Sequence, residues 1–308
     1  MSNRFAVIGS KSFSGHAFCS YLKASGIECM EFARPDYDLN RNMDGIIAEI
    51  RAGRPTHVVI FAALNMVAES WLHFADYYQT NIIAIARLHN ALQGMDFIDK
   101  VVQISTPEVY GATQTFLRED APFRPSTPYA VSRAAIDMHL LAMHKATGYP
   151  VCFTRSVNVY GSGQQPYRII PKTVLKILRG EKITLDGGGV STRSFMHVED
   201  MASSAYMVAL AGRPGEAYHT STPVQTSIRA LVESICQTMR AEFRDVVTVG
   251  PERPGKDLAY QLNSDKIRSE LGWTDRIPLD AGLLETIEWF KWRRDDYAGN
   301  SLEYGHRA

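Results

Sequence analysis

The feature that most narrows the fold is an alternation along the first half of the chain. Short β-rich runs, FAVI (5–8), IECMEF (27–32), HVVIFA (57–62), KVVQIS (100–105) and VCFTRSV (151–157), alternate with helix-length segments. The latter are GHAFCSYLKA, MDGIIAEIRA, AESWLHFADYYQTNIIAIARLHNAL and TPYAVSRAAIDMHLLAMHKA. A strand returns parallel to its neighbour only through a long crossover, usually a helix, and parallel sheets are covered on both faces. The pattern therefore predicts an α/β fold with a Rossmann-type doubly wound parallel sheet over residues 1–160. GRPT at 53–56 supplies a helix stop and a tight entry to the third strand. Beyond residue 160 Gly and Pro become denser (YGSGQQPYRIIP, LDGGGVSTRS, ERPGKD) and strands shorten. This predicts a smaller α+β substrate-binding region over 161–295, some of whose segments return to the sheet. The polar stretch DDYAGNSLEYGHRA ends in an expected loose tail, 296–308.

Bulk properties remove several classes of function. The 33 basic and 33 acidic residues cancel, so no net field favours nucleic acid or a membrane surface. Four scattered cysteines without a CxxC pair fit reduced thiols rather than a disulfide frame, and no metal site is expected. MSNR runs straight into FAVIG, leaving no room for a secretory apolar stretch, and VVIFAAL (58–64) is too short to span a bilayer. A cytoplasmic globular protein is expected, and 45% hydrophobic residues over 308 positions suffice for a sizeable core.

VIGSKSFSG (7–15) follows the first strand and opens the first helix. Gly9 and Gly15 flank a turn whose backbone N–H groups, with a helix N-terminus behind, suit a pyrophosphate. Ser12 stands where a third glycine is common; it offers a hydroxyl to a phosphate but narrows the turn. Context favours dinucleotide binding over a plain strand–loop–helix. The second strand ends at Ala33 and Arg34 rather than at an acid, which favours the 2′-phosphate of NADP. The other reading has Arg34 solvated and Asp36 or Asp38 serving NAD.

ISTPEVYG (104–111) closes the fourth strand, at the carboxyl edge where open α/β sheets bind ligands. Thr106 and Glu108, two apart, share one side of an extended chain. Tyr129 and Arg133 in YAVSR share a helical face. By itself that pair reads first as an ordinary surface helix.

In this order the motifs VIGSKSFSG, FAALNMVAESW, YYQTN, STPEVYG, PYAVSR, RSVNVYG, GGGVSTRSFMHVEDMA, ERPGKD and ELGW make the chain similar, nearly end to end, to the extended short-chain dehydrogenase/reductase family. Within it, the chain resembles the nucleotide-sugar epimerases and 4,6-dehydratases. The resemblance implies cofactor contacts from Gly9, Ser12, Phe13, Ser14 and Gly15, from Ala33, Arg34, Asp38 and Leu39, and from Ala62, Ala63 and Asn81. It makes Tyr129 the base for the sugar C4 hydroxyl, Thr106 its orienting partner and Arg133 the cation that holds the nicotinamide ribose, where lysine is usual. Arginine is always charged and carries a planar fork, but its diffuse charge should lower a tyrosine pKa less than an ammonium does. Glu108 is implied to remove the C5 proton during elimination. Pro107 stands where the acid that protonates the departing C6 hydroxyl is usual, which leaves the acid open. Asn158, Arg193 and Arg253 are implied to hold a nucleotide-diphosphate sugar, while His57 and His197 read as structural. A 4,6-dehydratase is thus expected; a 4-epimerase, a UDP-uronic acid decarboxylase and a non-catalytic dinucleotide sensor stay open. Relatives also imply a homodimer through 76–93 and 129–147, and Val131, Ala134, Ala135, Met138, Leu141 and Ala142 form a small-residue face that is equally ordinary core.

Overall fold

The computed structural model describes residues 3–113, 115–251 and 261–306. Six parallel strands form the central sheet in the order Cys29–Phe32, Phe5–Ile8, His57–Ile60, Lys100–Ser105, Val151–Ser156, Ala217–Thr220. The register is nearly flush: Phe5 pairs with both Cys29 and His57. The first five strands are the runs the sequence predicts, and the sixth comes from the C-terminal half. The order reverses between Phe5–Ile8 and His57–Ile60, which opens a crevice at their carboxyl ends.

Alternate residues of each strand serve opposite cores. Phe5 and Val7 pack with Phe18 and Leu22 of helix Phe13–Ala24 and with Ala205 and Val208 of helix Val198–Ala211. Ala6 and Ile8 face Ile46 and Ile50 of helix Met43–Gly53, Ile85 and Leu88 of helix Ile85–Gln93, and Ile136 and Leu140 of helix Pro128–Thr147. The sheet is therefore doubly wound. Helix starts follow their capping residues: Thr127 Oγ1 accepts from the Ala130 N–H at 3.1 Å ahead of Pro128, and Gly148, at φ 74°, ends that helix.

A second, smaller body packs helices Ile169–Arg179, Ile228–Met239 and Leu279–Trp292 around Val174, Leu231, Ile235, Ile287 and Phe290. Two-stranded pairs, such as Ile183–Asp186 with Val247–Gly250, complete it. Among the described residues no helix is long and apolar enough to cross a membrane.

Two local expectations are corrected. The segment after the third strand is broken rather than one long helix. Helices Val67–Leu72 and Phe74–Tyr78 meet at His73, and a π-turn, Gln79–Ala84, precedes Ile85–Gln93. The C-terminal segment is docked rather than loose. Leu302 is buried in the second core and Glu303 pairs with Lys172 at 2.6 Å. The His306 ring stacks on His73 at 3.9 Å and its Nε2 meets the Asp76 carboxylate at 2.9 Å. A polar composition concealed one apolar anchor and two specific pairings.

Candidate active site

At the crevice, Gly9 has φ +87°, and a Cβ there would sit 2.8 Å from the Ala62 backbone nitrogen. A Cβ at Gly15 would sit 2.2 Å from the Gly9 carbonyl oxygen. Both glycines thus permit close approach of backbone, between strands at one end and between loop and helix at the other. Ser12 has φ −68°, a conformation open to any residue, so this loop has no need of a middle glycine. Its Oγ accepts from the Gly15 N–H at 3.1 Å and caps helix Phe13–Ala24. The hydroxyl proton remains to donate. The Phe32 carbonyl accepts from the Gly9 and Ser10 N–H groups at 2.7 and 3.1 Å, fixing the loop to the second strand.

From this loop a cleft of about 1100 Å³ runs along the carboxyl ends of the strands into the second body. Gly9, Ser12, Phe13, Ser14, Ala33, Arg34, Asp38, Leu39, Ala62 and Ala63 line the end of the cleft at the glycine-bounded loop. Arg34 is half-exposed with its guanidinium 3.9 Å from the Asp38 carboxylate. The other Asp38 oxygen accepts from the Asn40 N–H at 2.8 Å. Asn81 does not reach the cleft. It is fully buried, accepts from the Leu64 N–H and donates to the Leu64 carbonyl, both at 2.9 Å, and donates to Ser132 Oγ at 3.0 Å. The π-turn aims this amide at the loop after the third strand, so Asn81 holds the cleft wall to the helix of Tyr129 and Arg133 from behind.

Thr106, Glu108, Tyr129 and Arg133 all line the same cleft. The route differs from an extended pair. Thr106 ends the fourth strand at φ −147° and caps a tight turn, Pro107–Tyr110, accepting from the Glu108 N–H at 3.3 Å. Proline suits the first position of that turn, where no N–H is needed. Tyr129 lies in the first turn of its helix, 8% exposed, and hydrogen-bonds Thr106. Burial pushes the Tyr129 phenol up; the Arg133 charge opposes this, Glu108 adds to it, and the Thr106 hydrogen bond and Arg168 pull it back. Arg133, one turn on, is 2% exposed. It donates through Nη2 to the Ile104 carbonyl, while Nε and Nη1 are buried without a protein partner.

A third residue of the Tyr129–Arg133 row escaped sequence reasoning. Asp137 Oδ2 accepts from Ser105 Oγ at 2.7 Å and from Arg155 Nη2 at 3.0 Å. Arg155 donates to Tyr110 Oη at 2.6 Å, and that oxygen meets His219 Nε2 at 2.8 Å. This buried network ties the helix of Tyr129 and Arg133 to the fourth and fifth strands. The i, i+4, i+8 spacing was the only signal for Asp137, and nothing local marks Arg155. Arg168 was also missed: it lines the cleft from the second body and donates to Asn65 Oδ1 at 3.1 Å across the mouth.

On the substrate side Asn158 and Arg193 line the cleft, as Lys172 and Lys176 do. Arg193 Nη1 donates to the Thr192 carbonyl at 2.7 Å. Arg253 lies outside the described residues. His57 is structural, stacked on Phe5 at 4.9 Å.

A doubly wound sheet, a glycine-bounded loop at its switch point and a tyrosine–threonine–cation cluster are the arrangement of a dinucleotide-dependent enzyme. The chain matches the NAD dependent epimerase/dehydratase family over residues 5–220 and belongs to it. It is 34% identical over 247 residues to a dTDP-glucose 4,6-dehydratase of Streptomyces niveus, covering 80% of this chain and 73% of that one. It is 32% identical over 258 residues to the dTDP-glucose 4,6-dehydratase of Haemophilus influenzae, covering 77% and 76%. A dTDP-glucose 4,6-dehydratase of Streptomyces venezuelae, DesIV, solved with NAD bound, superposes with a TM-score of 0.88 at 27% identity, covering 95% of this chain and 98% of that one.

Proposed function

We propose that this chain is a nucleotide-sugar 4,6-dehydratase, which converts a nucleotide-diphosphate hexose to its 4-keto-6-deoxy derivative. The observation that carries this is the convergence of Thr106, Glu108 and Tyr129 in one cleft with the unpartnered Arg133 donors. The site fits a nicotinamide dinucleotide in that Arg133 presents buried N–H groups of the kind ribose hydroxyls satisfy.

When bound, the dinucleotide accepts hydride from the sugar C4 and returns it to C6. Tyr129, as phenolate, takes the C4 hydroxyl proton, and Thr106 orients that hydroxyl. The resulting 4-keto group acidifies the C5 proton, which the Glu108 carboxylate removes. Pro107 has no proton to give, so Glu108, now protonated, returns the proton to the departing C6 hydroxyl and water leaves. Arg193, Lys172 and Arg168 favour the diphosphate by charge.

Arg34 is the residue for a 2′-phosphate and supports NADP. Asp38, 3.9 Å from it, both neutralises part of that charge and offers an acceptor to a 2′-hydroxyl. The carboxylate and the NAD-bound relative together favour NAD. The protein also exposes Ile83 in the 76–93 segment and Val131 and Met138 in the 129–147 segment, with Trp71, Leu72 and Phe74 just ahead of the first, whereas Ala134 belongs to the core. We assign this face to a homodimer, tested by sedimentation of Met138→Glu.

The test of function is mass spectrometry of a nucleotide-sugar panel, with dTDP-glucose first, incubated with purified protein and no added cofactor. Loss of one water from one member supports the dehydratase and names its substrate. An isomer of unchanged mass overturns it in favour of an epimerase. The dinucleotide released on denaturation, with or without an extra phosphate, decides NADP against NAD.

A further inference from the structure

Away from the cleft, the fold brings together two of the four cysteines that the sequence scatters. Cys19 lies on the helix that the dinucleotide loop opens, and Cys29 begins the edge strand. Their Sγ atoms and a Glu31 carboxylate oxygen lie within 4.8 Å of one another. Cys19 is buried in the core, whereas Cys29 is only partly buried beside Lys23 and Glu31, which pair at 2.9 Å. Cys29 is thus the less buried of the two and Cys19 the more buried. We infer that Cys29 and Cys19 form a redox-responsive pair, Cys29 the peroxide-reactive thiol and Cys19 its resolving partner.

Their environments divide these roles. The hydrogen bond from the Cys19 thiol, helped by Lys23, draws the Cys29 pKa down against burial and Glu31. The same hydrogen bond, with burial and the Cys29 charge, pushes Cys19 up. The thiolate is the nucleophile, and an accessible low-pKa thiol beside a resolving one is the arrangement of redox sensors. The chemistry balances with a peroxide as oxidant. Cys29 thiolate attacks one peroxide oxygen, the O–O bond breaks, and hydroxide leaves and is protonated to water. Cys19 then attacks the Cys29 sulfenic sulfur, its own proton leaves with the hydroxyl as a second water, and an S–S bond of about 2.05 Å forms. The product ties the cofactor-loop helix to the edge strand whose Phe32 carbonyl anchors that loop.

The test is peptide mass spectrometry of the full chain after brief hydrogen peroxide treatment and N-ethylmaleimide blocking. The expected result is one Cys19–Cys29 disulfide, with Cys152 and Cys236 alkylated. In untreated protein, Cys29 should be alkylated at least ~10-fold faster than Cys152, which burial pushes up to about 12. Cys19→Ser should stop at a Cys29 sulfenic acid that dimedone captures. Equal alkylation of all four cysteines in the wild type, or oxidation without that disulfide, overturns the inference. Both readouts use the unmodified sequence, so a poorly folding variant does not shield it.

Discussion

Arg133→Lys separates the two tasks of the cation beside Tyr129. Arg133 gives one N–H group to the Ile104 carbonyl and keeps two donors buried without a protein partner. Lysine places a single ammonium there and cannot reproduce the fork. A hydrogen bond to a charged group contributes about 1.5–3 kcal/mol, and about 1.4 kcal/mol is tenfold in a binding constant. Losing one such bond to the dinucleotide should therefore weaken its retention roughly 10- to 100-fold. Proton transfer should move the other way. Burial holds the Tyr129 phenol above its ordinary value, with Arg133 the largest opposing influence. A compact ammonium favours the phenolate more than a diffuse guanidinium does. A phenol acts as base when ionised, so the rate rises with pH through its pKa, and a lower pKa moves that rise to lower pH. Equilibrium dialysis of the dinucleotide and the pH profile of kcat read the two effects separately. Unchanged retention together with an unmoved profile would refute a special role for the arginine.

Glu108→Gln should cut dehydration by about 10²- to 10⁴-fold, the usual contribution of a positioned acid–base group, while leaving C4 oxidation intact. Near-ultraviolet absorbance should then show reduced nicotinamide accumulating on substrate addition; full turnover would favour the epimerase. Asp137→Asn leaves Arg155, 2% exposed, without its counter-charge, and breaking a buried pair costs about 3–5 kcal/mol. Denaturant titration should show that loss, and a change under about 1 kcal/mol would contradict the network. His89 and His219 are buried and held down from 6.5 to about 4 and about 3. Between pH 6.5 and about 4 the unfolded chain binds protons that the folded one does not, so this stability is complete above pH 6.5 and is lost on acidification. Each histidine should remove roughly 1.4 kcal/mol per pH unit there, and a flat unfolding free energy from pH 7 to about 5 would contradict it.

What the sequence discloses and what it hides follow from the range of the forces involved. Strand runs such as HVVI are legible because a strand covered on both faces must be apolar along its whole length, a demand made residue by residue. Gly9 and Gly15 are legible because each answers a steric limit within its own loop or one strand away. Ser12 shows the limit of that logic. It departs from the expected glycine, yet its φ of −68° makes glycine unnecessary, and only the folded loop reveals that its hydroxyl caps the helix. The resemblance implies a cofactor contact from Asn81, but its amide is spent on Leu64 and Ser132, 17 and 51 residues away. The Arg155–Asp137 pair, the docked His306 and the Cys19–Cys29 contact are illegible for the same reason. Each joins side chains whose meeting depends on helix packing and strand order, and the spacing of Asp137 from Tyr129 does not say what it meets. Thr106, Glu108 and Tyr129 are legible through the order of short motifs that makes the chain resemble its family, since spacing alone leaves Tyr129 an ordinary helix position. Arg133 was readable for the converse reason, since a substitution within a legible motif stands out. The residues behind them, Asp137 and Arg155, which hold their elements together, are found only in the fold.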